Sequence, residues 1–164
     1  MIVESVLGNL SDYDCDGRQI DLVYMDWYEL EKKHQKKTTK AGEELGIRLD
    51  HHLHQGDVLY ADDTKVIAVA LNPCELTCVK VDNMKAMGRL CFELGNRHLS
   101  LAISETDVKI PYDEPTFVYL QKLGFSPEKL VGEFKDFTVC HAHGSAHEHS
   151  HEHGHSHEHG HSHS

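Results

Sequence analysis

The sequence predicts an α+β protein in three parts: a small all-β domain over residues 1–71, a ferredoxin-like βαββαβ domain over 72–139, and a disordered histidine-rich tail over 140–164. Three observations predict it. Short apolar strings separated by turn residues fill the first part. Behind Asn72-Pro73 the pattern becomes strand, helix, two strands, helix, strand. After Val139 no aliphatic or aromatic side chain larger than Ala occurs, so the tail has nothing with which to build a core.

In the first part, Ile2–Leu7 reads as a strand ended by Gly8-Asn9, and Asp12–Gly17 as a polar turn. That turn holds three Asp residues but lacks the Glu that closes a calcium-binding EF-hand loop. Arg18–Tyr24 alternates as a strand. Trp27–Lys37 is richly charged and reads either as a solvated strand end or as a helical turn on the surface, with His34 exposed. Ile47–Leu49, Val58–Tyr60 and Lys65–Ala70 are further strands, the last two joined by the turn Asp62–Thr64. Together they suggest a small sandwich or barrel.

In the second part, Leu76–Val81 is a strand, and Asp82 or Asn83 caps a helix from Met84 to about Leu94. Met84, Met87, Leu90, Cys91 and Leu94 recur at helical spacing and form its core stripe, with Gly95 as its stop. Leu99–Ile103 and Val108–Ile110 are paired strands. A second helix runs from Thr116, behind Pro115, to Leu123 and stops at Gly124. Lys129–Val139 is the last strand, with Leu130, Phe134 and Phe137 as apolar points.

Charge and cysteine usage exclude several function classes. The tail contributes only Glu148, Glu152 and Glu158 to the charge, so residues 1–139 carry 24 acidic against 16 basic side chains, a net −8. An acidic body disfavours nucleic acid and anionic membrane and suits a cation handler. The five cysteines are odd in number and scattered, without a Cys-x-x-Cys, which fits a reducing cytoplasm better than a disulfide framework or a zinc knot. The N-terminus has no basic region before an apolar run, and no stretch approaches the roughly 18–20 apolar residues of a membrane span. No His-Glu-x-x-His, or other compact ligand set beside a general base, points to a zinc hydrolase.

The tail announces a metal. Eleven of the 16 histidines lie in it: His141, His143, His147, His149, His151, His153, His155, His157, His159, His161 and His163. Neutral imidazoles ligate nickel, copper and zinc, and a chain that alternates them can wrap an ion with several. The interleaved Glu, Ser and Gly distinguish it from an unbroken purification tag, and a merely solvated tail favours Lys over His. Cys140 beside His141 and His143 either joins a metal site as a thiolate or packs at the strand end. His51, His52 and His54 precede the Gln-Gly-Asp turn; they form either a secondary metal site or a polar approach to that turn. In an extended chain His52 and His54 share a face that His51 does not.

A different histidine supplies the fixed point. His98 lies between a helix end and a strand start, where a short loop presents a side chain from a rigid scaffold. One imidazole is one ligand, but a two-fold axis doubles it. Two copies of His98, completed by tail histidines such as His141 and His143, give four or more nitrogens, a set suited to nickel and also to copper or zinc.

Gly95-Asn96-Arg97-His98 resembles the hallmark of the UreE family of urease accessory proteins, nickel metallochaperones of urease maturation. The resemblance extends to the β-rich first part, the βαββαβ second part, Glu114-Pro115-Thr116, Leu120–Phe125 and the tail, and so spans essentially the whole chain. It implies a cytoplasmic homodimer that binds Ni2+, with Zn2+ and Cu2+ as competitors, between two copies of His98. Residues after the last strand then add ligands. It also implies a peptide-binding-like N-terminal domain, and as partners other urease accessory proteins, the GTPase UreG among them, and the urease apoprotein complex. Some members carry histidines at the positions of Tyr112 and Glu114, so a second copper-type site does not carry over. The resemblance implies a carrier without catalysis; the alternative is passive storage of nickel, zinc or copper by the tail alone.

Imidazoles bind metal in the neutral form, so protons compete. The metal capacity of the full chain is expected to fall as pH drops through about 6.5, the ordinary histidine value. Equal capacities in titrations at pH 5 and pH 8 refute this.

Overall fold

The computed structural model describes residues 1–139; the expectations attached to Cys140 and to His141–His163 lie outside the described residues. The layout is a β-rich N-terminal domain followed by an α+β domain.

The N-terminal domain contains strands β1 (Ile2–Val3), β2 (Gly8–Asn9), β3 (Gln19–Met25), β4 (His34–Thr38), β5 (Glu44–Arg48), β6 (Asp57–Ala61) and β7 (Lys65–Leu71). They form two sheets, ordered β1-β5-β4 and β2-β6-β7-β3. The segment expected as one strand over Ile2–Leu7 is split: β1 pairs with β5 and β2 with β6, so the intervening residues carry the chain from one sheet to the other. Trp27–Lys37 resolves into both readings, a 3-10 turn at Trp27–Glu29 and then β4. Strand β7 pairs with β3 in parallel along its whole length. It is buried on both faces, which explains its unbroken apolar run: Ile67, Val69 and Leu71 join the main core, and Val66 and Ala68 a smaller one beside Val58.

The second domain contains β8 (Cys74–Lys80), α1 (Met84–Asn96), β9 (Ala102–Ile103), β10 (Asp107–Pro111), α2 (Glu114–Lys122) and β11 (Pro127–Gly132). Its sheet order is β11-β8-β10-β9 with every pair antiparallel, the ferredoxin-like arrangement the element order predicts. Leu90 and Leu94 of α1 and Leu120 of α2 bury against Val79, Val108 and Ile110 of the sheet. Asn83 caps α1, its Oδ1 accepting from the Ala86 amide at 2.8 Å.

Three further expectations are corrected. Gly95 does not stop α1, which continues through it to Asn96. The carbonyls of Leu94 and Gly95 accept from the amides of Arg97 and His98, and just behind the helix end His98 takes the left-handed region at φ 56. Met84, the first residue of the helix, is 90% exposed rather than core. The last strand covers Pro127–Gly132, not 129–139. Behind it the chain turns back, and Thr138 forms an antiparallel bridge with Leu101.

That return joins the domains. Phe134 is 1% exposed and packs edge-on to Trp27 of the N-terminal domain, with ring centroids 5.2 Å apart. Phe137 stacks on Phe134 at 4.7 Å, meets Trp27 edge-on at 5.6 Å and packs against the N-terminal core. Asn72, at the domain junction, donates from Nδ2 to Asp26 Oδ1 at 3.1 Å, next to the same tryptophan.

Truncating a fully buried aromatic side chain costs about 3–5 kcal/mol. Phe134→Ala is expected to lower stability by about 3 kcal/mol or more in urea denaturation. A loss below about 1 kcal/mol means that this cluster does not hold the domains together.

Candidate metal centre

Residues 97–101 link α1 to β9 and carry His98 just behind the end of the helix. A cation is favoured there, because the helix dipole places partial negative charge at its C-terminus. His98 is exposed, and its φ of 56 is a conformation that histidine adopts more readily than bulkier residues.

Its neighbour Arg97 anchors the loop. The Arg97 Nε donates to Thr116 Oγ1 at 3.3 Å, and the guanidinium lies over the Tyr119 ring, 4.8 Å from its centroid. Tyr119 in turn donates its hydroxyl proton to Glu93 Oε2 at 2.6 Å, which returns the contact to α1. Thr116 is held by the cap of α2: its amide and hydroxyl both donate to Asp113 Oδ2, at 3.0 and 2.6 Å. These two hydrogen bonds, with the Arg97 charge nearby, hold the Asp113 carboxyl below the usual range. His98 thus projects from a loop fixed on both sides, into an open cleft lined by Trp27, Leu99, Ser100, Tyr112 and Asp113.

Among the described residues no three His, Cys, Asp or Glu side chains lie close enough together to hold a metal ion. His98 within one protomer is therefore one ligand. His34 is exposed on β4, and His51 Nδ1 lies 2.7 Å from Asp50 Oδ1. His52 and His54 line a separate small cavity beside Phe137 and Val139 together with Leu53 between them; the segment is not a strand, so the alternation of an extended chain does not apply to it.

The cysteines of the described residues are free: Cys78 is buried, and Cys15, Cys74 and Cys91 are half-buried. Burial pushes the thiols of Cys74, Cys78 and Cys91 up. The parts that sequence reasoning missed are the anchors, Glu93, Arg97, Thr116 and Tyr119. Asp113 with Pro115 carries a helix-start signature, but nothing in the sequence connects that start to the histidine loop.

Asp113→Ala is expected to cost about 1 kcal/mol near pH 7, the usual value for a lost N-cap. Because the folded carboxyl is lowered, its contribution is complete above the ordinary carboxylate value of about 3.9 and disappears as pH falls through the lowered one. Denaturation curves of the two proteins should therefore converge in strong acid; a constant gap over the whole pH range contradicts the assignment.

No described helix is long and apolar enough to cross a membrane. The family described as UreE urease accessory protein, N-terminal domain, matches residues 3–72, and its C-terminal counterpart matches residues 74–164. The chain is 39% identical over 147 residues to the urease accessory protein UreE of Bifidobacterium longum subsp. infantis, a match covering 89% of this chain and 66% of the relative. It is 40% identical over 153 residues to that of Acetivibrio thermocellus, covering 87% of this chain and all of the relative. A third UreE, from Flavobacterium johnsoniae, is 36% identical over 133 residues, covering 79% and 81%. By the extent of these matches, and with both domains accounted for, the chain belongs to the UreE family of urease accessory proteins.

Proposed function

We propose that this protein is a cytoplasmic nickel metallochaperone that delivers Ni2+ for assembly of the urease active site. Family membership supports the urease connection, and the family description is of an accessory protein, not an enzyme. In this reading residues 1–71 dock partners, 72–139 bind metal and dimerise, and 140–164 gather ions. The centre forms where two protomers bring their His98 side chains together, with His141 and His143 as further ligands. His147, His149, His151, His153, His155, His157, His159, His161 and His163 raise capacity. The proposed recipients are the GTPase UreG and the urease apoprotein complex.

One observation supports the ligand assignment. The antiparallel bridge between Thr138 and Leu101 brings the end of the described residues beside the loop that holds His98, and His141 lies three residues after Thr138 in the sequence. A centre of this kind suits a carrier. Its scaffold ligand is held by the Arg97 network, and its remaining imidazoles belong to a segment that can exchange them one at a time for those of an acceptor. Affinity order alone favours copper over nickel, so cargo identity follows from the family and from metal supply. Zn2+ and Cu2+ are the expected competitors.

Nickel titration with a mass measurement tests this. The full chain should bind several ions per protomer, and a chain ending at Val139 should be a dimer retaining about one tight ion. His98→Ala in the shortened chain should abolish that ion. Loss of nearly all binding on shortening favours passive storage by the tail; a tight ion that survives His98→Ala defeats the site assignment.

A further inference from the structure

Residues 32–48 reverse the charge of the body. They carry Lys32, Lys33, Lys36, Lys37, Lys40 and Arg48 against Glu43 and Glu44, a net +4, whereas residues 1–139 as a whole have a net −8. Lys37 is neutralised by Glu29 at 2.5 Å, and Glu43 by Lys65. Among the described residues no ion pair engages Lys36 or Arg48.

One sheet face gathers these charges. Burial alternates along β4 and β5, so Leu45 and Ile47 join the core while His34, Lys36, Thr38, Glu44 and Arg48 are exposed. In the sheet register His34 lies opposite Arg48 and Thr38 opposite Glu44. Between them Lys36 lies opposite Gly46, which Ile2 of β1 flanks on its other side. Ile2 is 61% exposed. The central row of the face is therefore Ile2, Gly46 and Lys36, with no side chain in its middle. Two hollows of about 490 and 360 Å³ meet there and share these three residues.

The gap is not a requirement of the fold. Gly46 is not among the residues of positive φ, and a Cβ on it would meet only the Met1 carbonyl oxygen at 3.8 Å and Ile2 Cγ1 at 3.9 Å, both ordinary contacts. Glycine in mid-strand is less stable than alanine, so the open space is kept at a cost. An extended chain laid along the strands repeats its side chains at the same two-residue interval, roughly 7 Å, as His34, Lys36 and Thr38. An apolar side chain over Gly46, beside Ile2, then sets the residue two positions along against Arg48. A carboxylate is the complementary group there. Nucleic acid suits the face less well, because no aromatic side chain lines either hollow to stack a base.

We propose that the exposed face of β1, β5 and β4 docks an extended acidic segment of a partner protein. It takes a leucine-sized apolar side chain over Gly46 and a carboxylate two residues away against Arg48 and Lys36. The proposal rests on the docking role given to residues 1–71 and supplies that role with a surface and a ligand chemistry. A basic face on an acidic protein also orients the encounter with an acidic partner.

A short fluorescein-labelled peptide repeating Glu-Ser-Leu-Ser tests it by fluorescence anisotropy with the full-length chain; the control peptide has Lys in place of Glu. The Glu peptide should bind and the control should not, and binding should weaken as NaCl is raised. Lys36→Glu/Arg48→Glu should weaken it about tenfold or more. Gly46→Leu, which fills the gap without changing charge, should do the same. Melting temperatures of both variants should stay near that of the natural protein, since the altered positions lie on the solvent face. Amide shifts of the isotope-labelled chain locate the peptide, and shifts centred on Ile2, Lys36 and Gly46 support the groove. Binding unchanged in both variants, or matched by the Lys peptide, overturns it. Displacement of the peptide by an equal charge of oligo(dT) overturns it in favour of a general polyanion surface. Shifts confined to other parts of residues 1–71 overturn the groove and leave the docking role standing, whereas no shift in residues 1–71 with either peptide defeats both.

Discussion

The edge-to-face contact of Trp27 with Phe134 and Phe137 is the constraint on which the arrangement of the two domains depends. It is a cross-domain contact between residues over 100 positions apart, and it requires the chain behind β11 to turn back instead of continuing as a strand. Once Phe134 and Phe137 are buried against the N-terminal core, Thr138 reaches Leu101 and Val139 reaches the cavity of His52 and His54.

Around His98 the structure fixes the loop through its neighbours. Arg97 is tied to Thr116 and Tyr119, which are tied to Asp113 and Glu93, so both helices of the second domain hold the loop that follows α1. His98 itself stays exposed. In the proposed centre the anchors are distinct from the ligands. An ion enclosed by a closed rigid cage leaves slowly, whereas an ion with one fixed and several mobile ligands can be passed on stepwise.

Much of the fold was legible because its signals are local. The six elements of the second domain were visible from periodicity, from Asn83 before Met84 and from Pro115 and Gly124 around the second helix. The errors share a cause. Gly95 has the chemistry of a helix stop, yet the helix runs through it and the carbonyls of Leu94 and Gly95 find donors in Arg97 and His98. Met84 fits the apolar stripe, yet it stays exposed at the helix start. Phe134 and Phe137 fit a strand, yet their partner is Trp27. Each depends on which surface lies opposite, and periodicity does not report that.

By itself the sequence determined the kind of chemistry. Eleven histidines in a segment with no apolar side chain larger than Ala point to metal chemistry, and Gly95-Asn96-Arg97-His98 with its surroundings points to the UreE family, because ligand identity is written in residue type. Only the tertiary structure decided which groups meet. It linked Asp113 to Arg97 across two helices and brought Phe134 and Phe137 onto Trp27 of the other domain. Those meetings depend on burial of side chains far apart in sequence, which is a property of the packed molecule and not of any one stretch.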